Sequence, residues 1–469
     1  MRDIYLKLVG KKKLITILFY FLLLTFPFGS FLLPISIGFA TIYPNLITLL
    51  ILFTLGIFNY KVITTKLEWF TIYFFIFWFL YSLTGFFFVE GKTSAYYEVR
   101  SVLLMGVTIY VIVWIKNFLG LEDFIKKVYK IFEIIYFFLV SISIFEIYTG
   151  IHFKGEFTNK IITLPIGNVT YSPAFLSDNQ NTFLAVLLTI GAILLLFRSK
   201  FQRNIFISIA VIITSFFVSY VSASRMGEYV SYFMTVWLLT NYLRDIYNHY
   251  RQKKSLKEQH IFTFFLLIVL IIVGISKPIY VGPKLRKETF VYKQKLTVAK
   301  ELKGVNEKSR LIEMQYVQYL NQDVLDSNYN SVKIREALIY NGIDYLTKSN
   351  YLGIGPGQYR HKHINNDKKY YTKTNIGPHF WLIEVLSQYG IIVFLGYVSV
   401  LLWVTVICLK NIIKSFYISL LVIMCIGVFL GASILPSSFI VIDAGWYFFA
   451  FLISLVSDKA FFDKTKLEA

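Results

Sequence analysis

The chain is short of the residues that most proteins use for covalent and metal chemistry. It has two cysteines, Cys408 and Cys425, in 469 residues. Both lie in or at the end of apolar runs, which excludes a disulfide framework and a thiolate metal site. No Asp-x-Asp pair occurs, so the usual means by which nucleotide-sugar transferases hold a divalent ion is missing. Acidic residues number 27 against 47 Lys and Arg, and charged residues make up only 16% of the chain. Segments of about ten alternating residues, the mark of a membrane β-barrel, are absent as well.

What the chain has is apolar surface. It is 56% hydrophobic and 19% aromatic, with a mean hydropathy of +0.61. Apolar runs of roughly 17 residues or more exclude an ordinary soluble domain. Helices alone satisfy every backbone group within such a run. The expected fold class is therefore an all-α membrane protein, a polytopic bundle of about twelve transmembrane helices. The runs fall at 14–28, 36–58, 67–88, 99–115, 124–148, 180–197, 205–222, 227–243, 261–275, 385–409, 415–433 and 438–456. Three units follow: an N-terminal bundle over 1–275, a large loop over 276–378, and a C-terminal bundle with its tail over 379–469. The start, Met1–Lys13, is basic and precedes an apolar stretch with no small-residue cleavage site, and reads as a retained first helix.

Lys and Arg set the expected sidedness. One set of short loops carries Lys11–Lys13, Lys61, Lys66, Lys116, Lys126, Lys127, Arg198, Arg203, Arg244, Lys253, Lys410, Lys459 and others, twenty-three in all. The opposite set carries four: Lys92, Lys154, Lys160 and Arg225. The positive-inside rule then puts both termini in the cytoplasm and the large loop outside, in a multi-pass protein of the cytoplasmic membrane. Residues 276–377 hold 18 basic and 9 acidic residues, an outward basic excess that the rule does not account for. Nucleic acid does not suit a polytopic chain; an anionic head group or a phosphorylated lipid carrier does.

Several residues stand out against this apolar background. Arg225 lies in Ser222-Ala223-Ser224-Arg225-Met226-Gly227, between two apolar runs. It reads either as a snorkelling interfacial arginine or as a cation aimed at a phosphate. Arg335 opens an amphipathic stretch to Leu346, so the large loop is expected to contain a helix. Its bland reading is a solvated neighbour of Glu336. The turn Gly353-Ile354-Gly355-Pro356-Gly357 permits close backbone approach, but lacks the Gly-Lys-Ser/Thr ending of a phosphate-binding loop. His379 begins the next apolar segment, with Glu384, Leu386 and Gly390 following. His361 and His363 lie in a Lys-rich patch without a suitably spaced acid. Asn181 follows Asp178 and Asn179 at the head of another run, where helix capping and hydrogen bonding to a sugar are both open readings.

Taken in order, these pieces resemble the O-antigen ligase and polymerase superfamily, integral-membrane glycosyltransferases that use undecaprenyl-diphosphate-linked glycans. The resemblance rests on Ser224-Arg225-Met226-Gly227 after an apolar run, the Arg335-led helix in a long loop, the Gly353–Gly357 turn, and the segment led by His379. It covers roughly residues 170–435. The family usually has Asn after the histidine, where this chain has Phe380. The resemblance implies a GT-C type bundle and inverting glycosyl transfer with no metal or other cofactor. Arg225, Arg335 and His379 would be catalytic, and Asn181, Gly353, Gly355, Gly357 and Glu384 would bind substrate. The implied partners are a lipid-linked oligosaccharide donor, a glycan acceptor, the bilayer and a chain-length regulator. A polymerase, a ligase acting on lipid A core or another acceptor, and a flippase for the same lipid-linked sugars are the competing functions. Two similar halves, common in transporters, are not seen.

Overall fold

The computed structural model describes residues 2–26, 35–37, 40–42, 44–149, 162–164, 167–169, 180–201, 205–221, 224–251, 327–365, 369–370, 377–434, 438 and 443–462. Among the described residues, eight α-helices come before the large loop: α1 (Arg2–Thr25), α2 (Pro44–Ile57), α3 (Lys66–Phe88), α4 (Lys92–Leu119), α5 (Leu121–Thr149), α6 (Gln180–Phe201), α7 (Ile205–Val221) and α8 (Arg225–Arg251). The described part of the loop holds α9 (Ser327–Lys348) and α10 (Gln358–Ile364). The chain continues with α11 (Trp381–Lys410), α12 (Phe416–Ala432) and α13 (Asp443–Val456).

Helix dominates, with two small additions. Strands β1 (Ile35–Ile37) and β2 (Ala40–Ile42) form an antiparallel hairpin, and β3 (Ile162–Leu164) and β4 (Gly167–Val169) form another. The apolar run expected at 36–58 is thereby corrected: it opens with a β-hairpin, and its helix starts at Pro44. Proline fits a first helical position, where its missing N–H has no partner to lose. The run expected at 438–456 likewise begins late, at Asp443, and the run at 99–115 belongs to the longer α4. The run at 261–275 lies outside the described residues.

Among the described residues, four helices are long and apolar enough to cross a membrane: Lys66–Phe88, Lys92–Leu119, Leu121–Glu146 of α5, and Trp381–Lys410. Shorter apolar helices, such as Pro44–Ile57 and Phe183–Phe197, stand beside them. Their side chains are apolar both where they pack and where they do not. On α3, Phe75, Trp78 and Ser82 are buried while Tyr73, Ile76, Phe77 and Leu80 face outward. A helix of this kind belongs in lipid rather than at a water surface. The chain is accordingly a helical membrane protein.

Inside, α3 packs on α4, α4 on α13, and α12 on α6 and α8. An aromatic cluster ties the two halves of the chain together: Trp381 meets Tyr397 edge-on at 4.1 Å and Trp446 at 5.5 Å, and Trp78 meets Tyr389 at 5.4 Å. Such pairs contribute about 0.5–1.5 kcal/mol each beyond burial.

The end of the bundle where α1 begins and α13 ends holds a buried ion pair. Lys116 Nζ lies 2.8 Å from Glu68 Oε1, with side chains 1% and 0% exposed. The Ser457 hydroxyl, just past α13, donates to the same oxygen at 2.7 Å. Glu68 also completes a capping box with Thr65, accepting from the Thr65 amide while its own N–H bonds the threonine hydroxyl. Lys116, counted above among the loop cations, is thus a buried partner of Glu68.

Candidate functional site

The opposite end of the bundle gathers the residues singled out in the sequence. At the head of α8, the Ser224 hydroxyl accepts the Gly227 N–H at 3.2 Å and so caps the helix. A Cβ on Gly227 would stand 2.6 Å from Leu184 Cδ2 and 2.8 Å from Ser219 Oγ, so this glycine brings α8 against α6 and α7. Two of the motif's residues are thus accounted for by helix start and packing. Because Gly227 meets Leu184, Asn181 near the start of α6 and Arg225 at the start of α8 share this end. The side chains of Asn181 and Arg225 lie outside the described residues. The far end of α12 closes in as well, since a Cβ on Gly431 would meet Val230 at 2.7 Å.

The expected loop helix is present as α9, longer than the amphipathic pattern by a turn or two at its start. Gly342 lets α9 lie directly on α11, where a Cβ would be 2.5 Å from Ile383. The turn that follows α9 bonds to Ser387–Ile391, further along α11. The two helices therefore run in the same sense. Two turns before Gly342, about 10 Å back along the axis, Arg335 comes toward the His379 end of α11. Arg335 is partly buried, and desolvation lowers its proton affinity, yet among the described residues no carboxylate pairs with it. It stays charged, since an arginine does not lose its proton in proteins. The solvated-neighbour reading does not fit such a position.

His379 is held at φ 50, a left-handed conformation that costs a non-glycine residue roughly 1–2 kcal/mol. Phe380 after it is the N-cap of α11 and makes no side-chain cap bond. Glu384, in the first turn of α11, is 2% exposed and accepts the Ser438 hydroxyl. Glu384 thereby ties α11 to Ser438, ahead of α13.

The glycine turn is a joint. Gly353, Gly355 and Gly357 have φ of 86, 96 and 71. A Cβ on Gly353 would lie 2.5 Å from the Gln388 carbonyl oxygen, and one on Gly357 2.4 Å from the Ser94 carbonyl carbon. Gly355 would meet Val89. The open face that each glycine provides is thus filled by α11, by the start of α4 or by the link between α3 and α4. Opposite them α11 is broken at Gly390 (φ 75, ψ −176). The Ile354 and Gly355 amides donate to the Ser387 and Gln388 carbonyls at 2.9 and 2.8 Å, and the Ile391 amide to the Tyr351 carbonyl at 2.9 Å. The turn thus takes up the backbone groups that the break releases.

One residue was missed in the sequence. Glu98 of α4 receives Gln388 Nε2 on both carboxylate oxygens, at 3.0 and 2.9 Å, and the Tyr389 hydroxyl at 2.9 Å. Gln388 in turn accepts the Tyr359 amide at 3.3 Å. The signal was available: Ser387-Gln388-Tyr389-Gly390 puts polar residues in an apolar run, where they require internal partners.

His363 is 2% exposed, stacked on Tyr359 at 4.5 Å and edge-on to Tyr345 at 5.8 Å. Its place in a polar patch is corrected to a buried aromatic cluster, below which Tyr359 Oη donates to the Leu338 carbonyl at 2.6 Å. Burial raises the Tyr359 hydroxyl well above the ordinary range of a phenol, so it remains a donor. No known protein family, curated protein or solved structure matches the chain.

Proposed function

We propose that the chain is a membrane glycosyltransferase that lengthens a surface polysaccharide by joining undecaprenyl-diphosphate-linked repeat units on the loop side of the membrane. The observation that carries this is Arg335, a part-buried cation without a carboxylate partner among the described residues, brought by the α9–α11 register toward His379. The motif order of the resembled superfamily supports the same reading.

In the reaction an acceptor hydroxyl attacks the anomeric carbon. The bond from that carbon to the diphosphate oxygen breaks, and the diphosphate leaves with the electron pair. Negative charge grows on the leaving group, so fixed cations that bind it more strongly in the transition state accelerate the step. Arg335 suits this work because its fork of N–H donors matches phosphate oxygens. Arg225, at the same end, is its candidate companion. His379 takes the hydroxyl proton or orients the hydroxyl.

Purified protein in vesicles, given lipid-linked repeat units, tests the proposal. Wild type should yield a polymer ladder that persists in excess EDTA. Arg335→Ala should abolish it, Arg335→Lys should retain a part, and His379→Ala should cut turnover more than donor binding. An undiminished ladder from Arg335→Ala overturns the diphosphate role. Product on lipid A core without a ladder would make the chain a ligase, and donor crossing the bilayer with no new glycosidic bond would make it a flippase.

A further inference from the structure

We propose that the turn between α9 and α10 is inserted into the membrane, with Tyr351 and Leu352 among the acyl chains of the leaflet on the loop side. The inference is independent of the proposed chemistry and rests on α3 and α11 spanning the bilayer.

Depth is the first support. Tyr81 Oη of α3 donates to the Leu352 carbonyl at 2.7 Å, and the Pro356 ring lies against Gly85, where a Cβ would be 3.1 Å from Cδ. The turn therefore runs down the side of α3 from its end toward Tyr81. About 20 residues cross the hydrocarbon layer, so counted from Leu67 its edge falls near Phe86, and Tyr81 lies roughly 7 Å inside it.

Continuity of the surface is the second. Tyr351 and Leu352 are 55% and 56% exposed. On one side they adjoin the outward row of α3, where the Phe77 ring stands 6.1 Å from that of Tyr81. On the other they adjoin Ile391 and Ile392, which begin the outward row of α11. Charge resumes only at the margins, at Lys348 before the pair and Arg360 after it.

The backbone gives the third. Every N–H from Asn350 to Gly355 is bonded: Asn350 to the Thr347 carbonyl, Tyr351 to Leu346, Leu352 to Ser349, Gly353 to the Ser349 hydroxyl, Ile354 to Ser387 and Gly355 to Gln388. The carbonyls of Tyr351 and Leu352 accept from Ile391 and Tyr81. A turn in water needs no such completeness, because water supplies the missing partners. Non-helical backbone at membrane depth has to find them within the protein. The left-handed conformations of Asn350 and Tyr351, φ 50 and 64, are held in place by these bonds.

Spin labelling of the full chain in phospholipid vesicles tests the insertion. Leu352→Cys carries the label at the turn, Ile391→Cys serves as the lipid reference and Lys348→Cys as the aqueous one. The native Cys408 and Cys425 are buried, and labelling of the unsubstituted chain measures their background. Leu352 and Ile391 project outward, so these substitutions leave the bonds of the turn intact. The nitroxide at 352 should collide more with oxygen than with a water-soluble nickel chelate, as at 391, and the label at 348 should show the reverse. Preference for the nickel chelate at 352 would place the turn in water, and shielding from both reagents would mean that protein covers it. Either result overturns the proposal.

Discussion

Gln388 on α11 and Glu98 on α4, 290 residues apart in sequence, are joined by hydrogen bonds to both carboxylate oxygens, at 3.0 and 2.9 Å. Gln388 immediately precedes Tyr389 and the break at Gly390, so this contact fixes α4 to the point where α11 changes course. It lies beside the glycine turn and the His379 segment, and holds the frame on which Arg335 depends.

Replacing Glu98 by Leu leaves the Gln388 and Tyr389 donors without their acceptor. Such bonds contribute about 0.5–1.5 kcal/mol each, and a buried donor left without its acceptor costs about 1–3 kcal/mol. Glu98→Leu should therefore lower thermal stability in detergent by several degrees. A melting curve unchanged from wild type would show that the contact does not fasten the two helices.

The buried pair of Lys116 and Glu68 makes a sharper contrast. Removing the lysine strands the buried Glu68 carboxylate, so Lys116→Met alone should cost about 3–5 kcal/mol, and Glu68→Leu less because Lys116 keeps Asp458 at 3.9 Å. The double variant should recover most of that loss, because two apolar side chains of similar size desolvate nothing. Additive losses in the double variant would contradict the pairing. Unfolding followed by cysteine accessibility of Cys408 and Cys425 reads the difference.

Glycine positions separate conformation from space. Gly353 and Gly120 both have positive φ, 86 and 84, but a Cβ meets backbone at Gly353 and nothing within 4 Å at Gly120. Gly120→Ala should cost about 1–3 kcal/mol of backbone strain. Gly353→Ala should add about 1–3 kcal/mol of overpacking. Equal losses at the two positions would mean that the joint has room to yield.

Phe380 offers a gain. It already has the extended backbone of an N-cap, at φ −155 and ψ 102, but no acceptor to give. Phe380→Asn should raise stability by about 1 kcal/mol by accepting the Leu382 amide in the first turn of α11. A destabilised variant would instead assign the phenyl ring a packing role.

Much of this fold was legible because membrane helices announce themselves by length and apolarity. The loop helix was legible too, from the spacing of Leu338, Gly342 and Leu346 behind Arg335. The β1–β2 hairpin was not, since Ile35, Ile37 and Ile42 are as apolar as the helix after them, and hydropathy does not report backbone shape. The pairing of Lys116 was not legible, because a lysine at the end of an apolar run looks the same whether it lies free or pairs inside. Glu98 escaped because its partners lie 290 residues on. The glycine turn was noticed for the close backbone approach it permits, but its partner, the broken helix α11, was not legible, because apolar sequence alone does not reveal a helix break.

The tie between Glu98 and Gln388 also carries a consequence for biogenesis. Helices enter the bilayer in chain order, so α4 arrives with its carboxylate long before α11 is synthesised. The ion pair of Glu68 and Lys116 forms early, but its Ser457 cover comes with the last helix. The first half of the molecule must wait, incompletely satisfied, for the second, and a nascent chain halted before α11 would present an unmet acid to whatever cellular machinery holds or destroys unfinished membrane proteins.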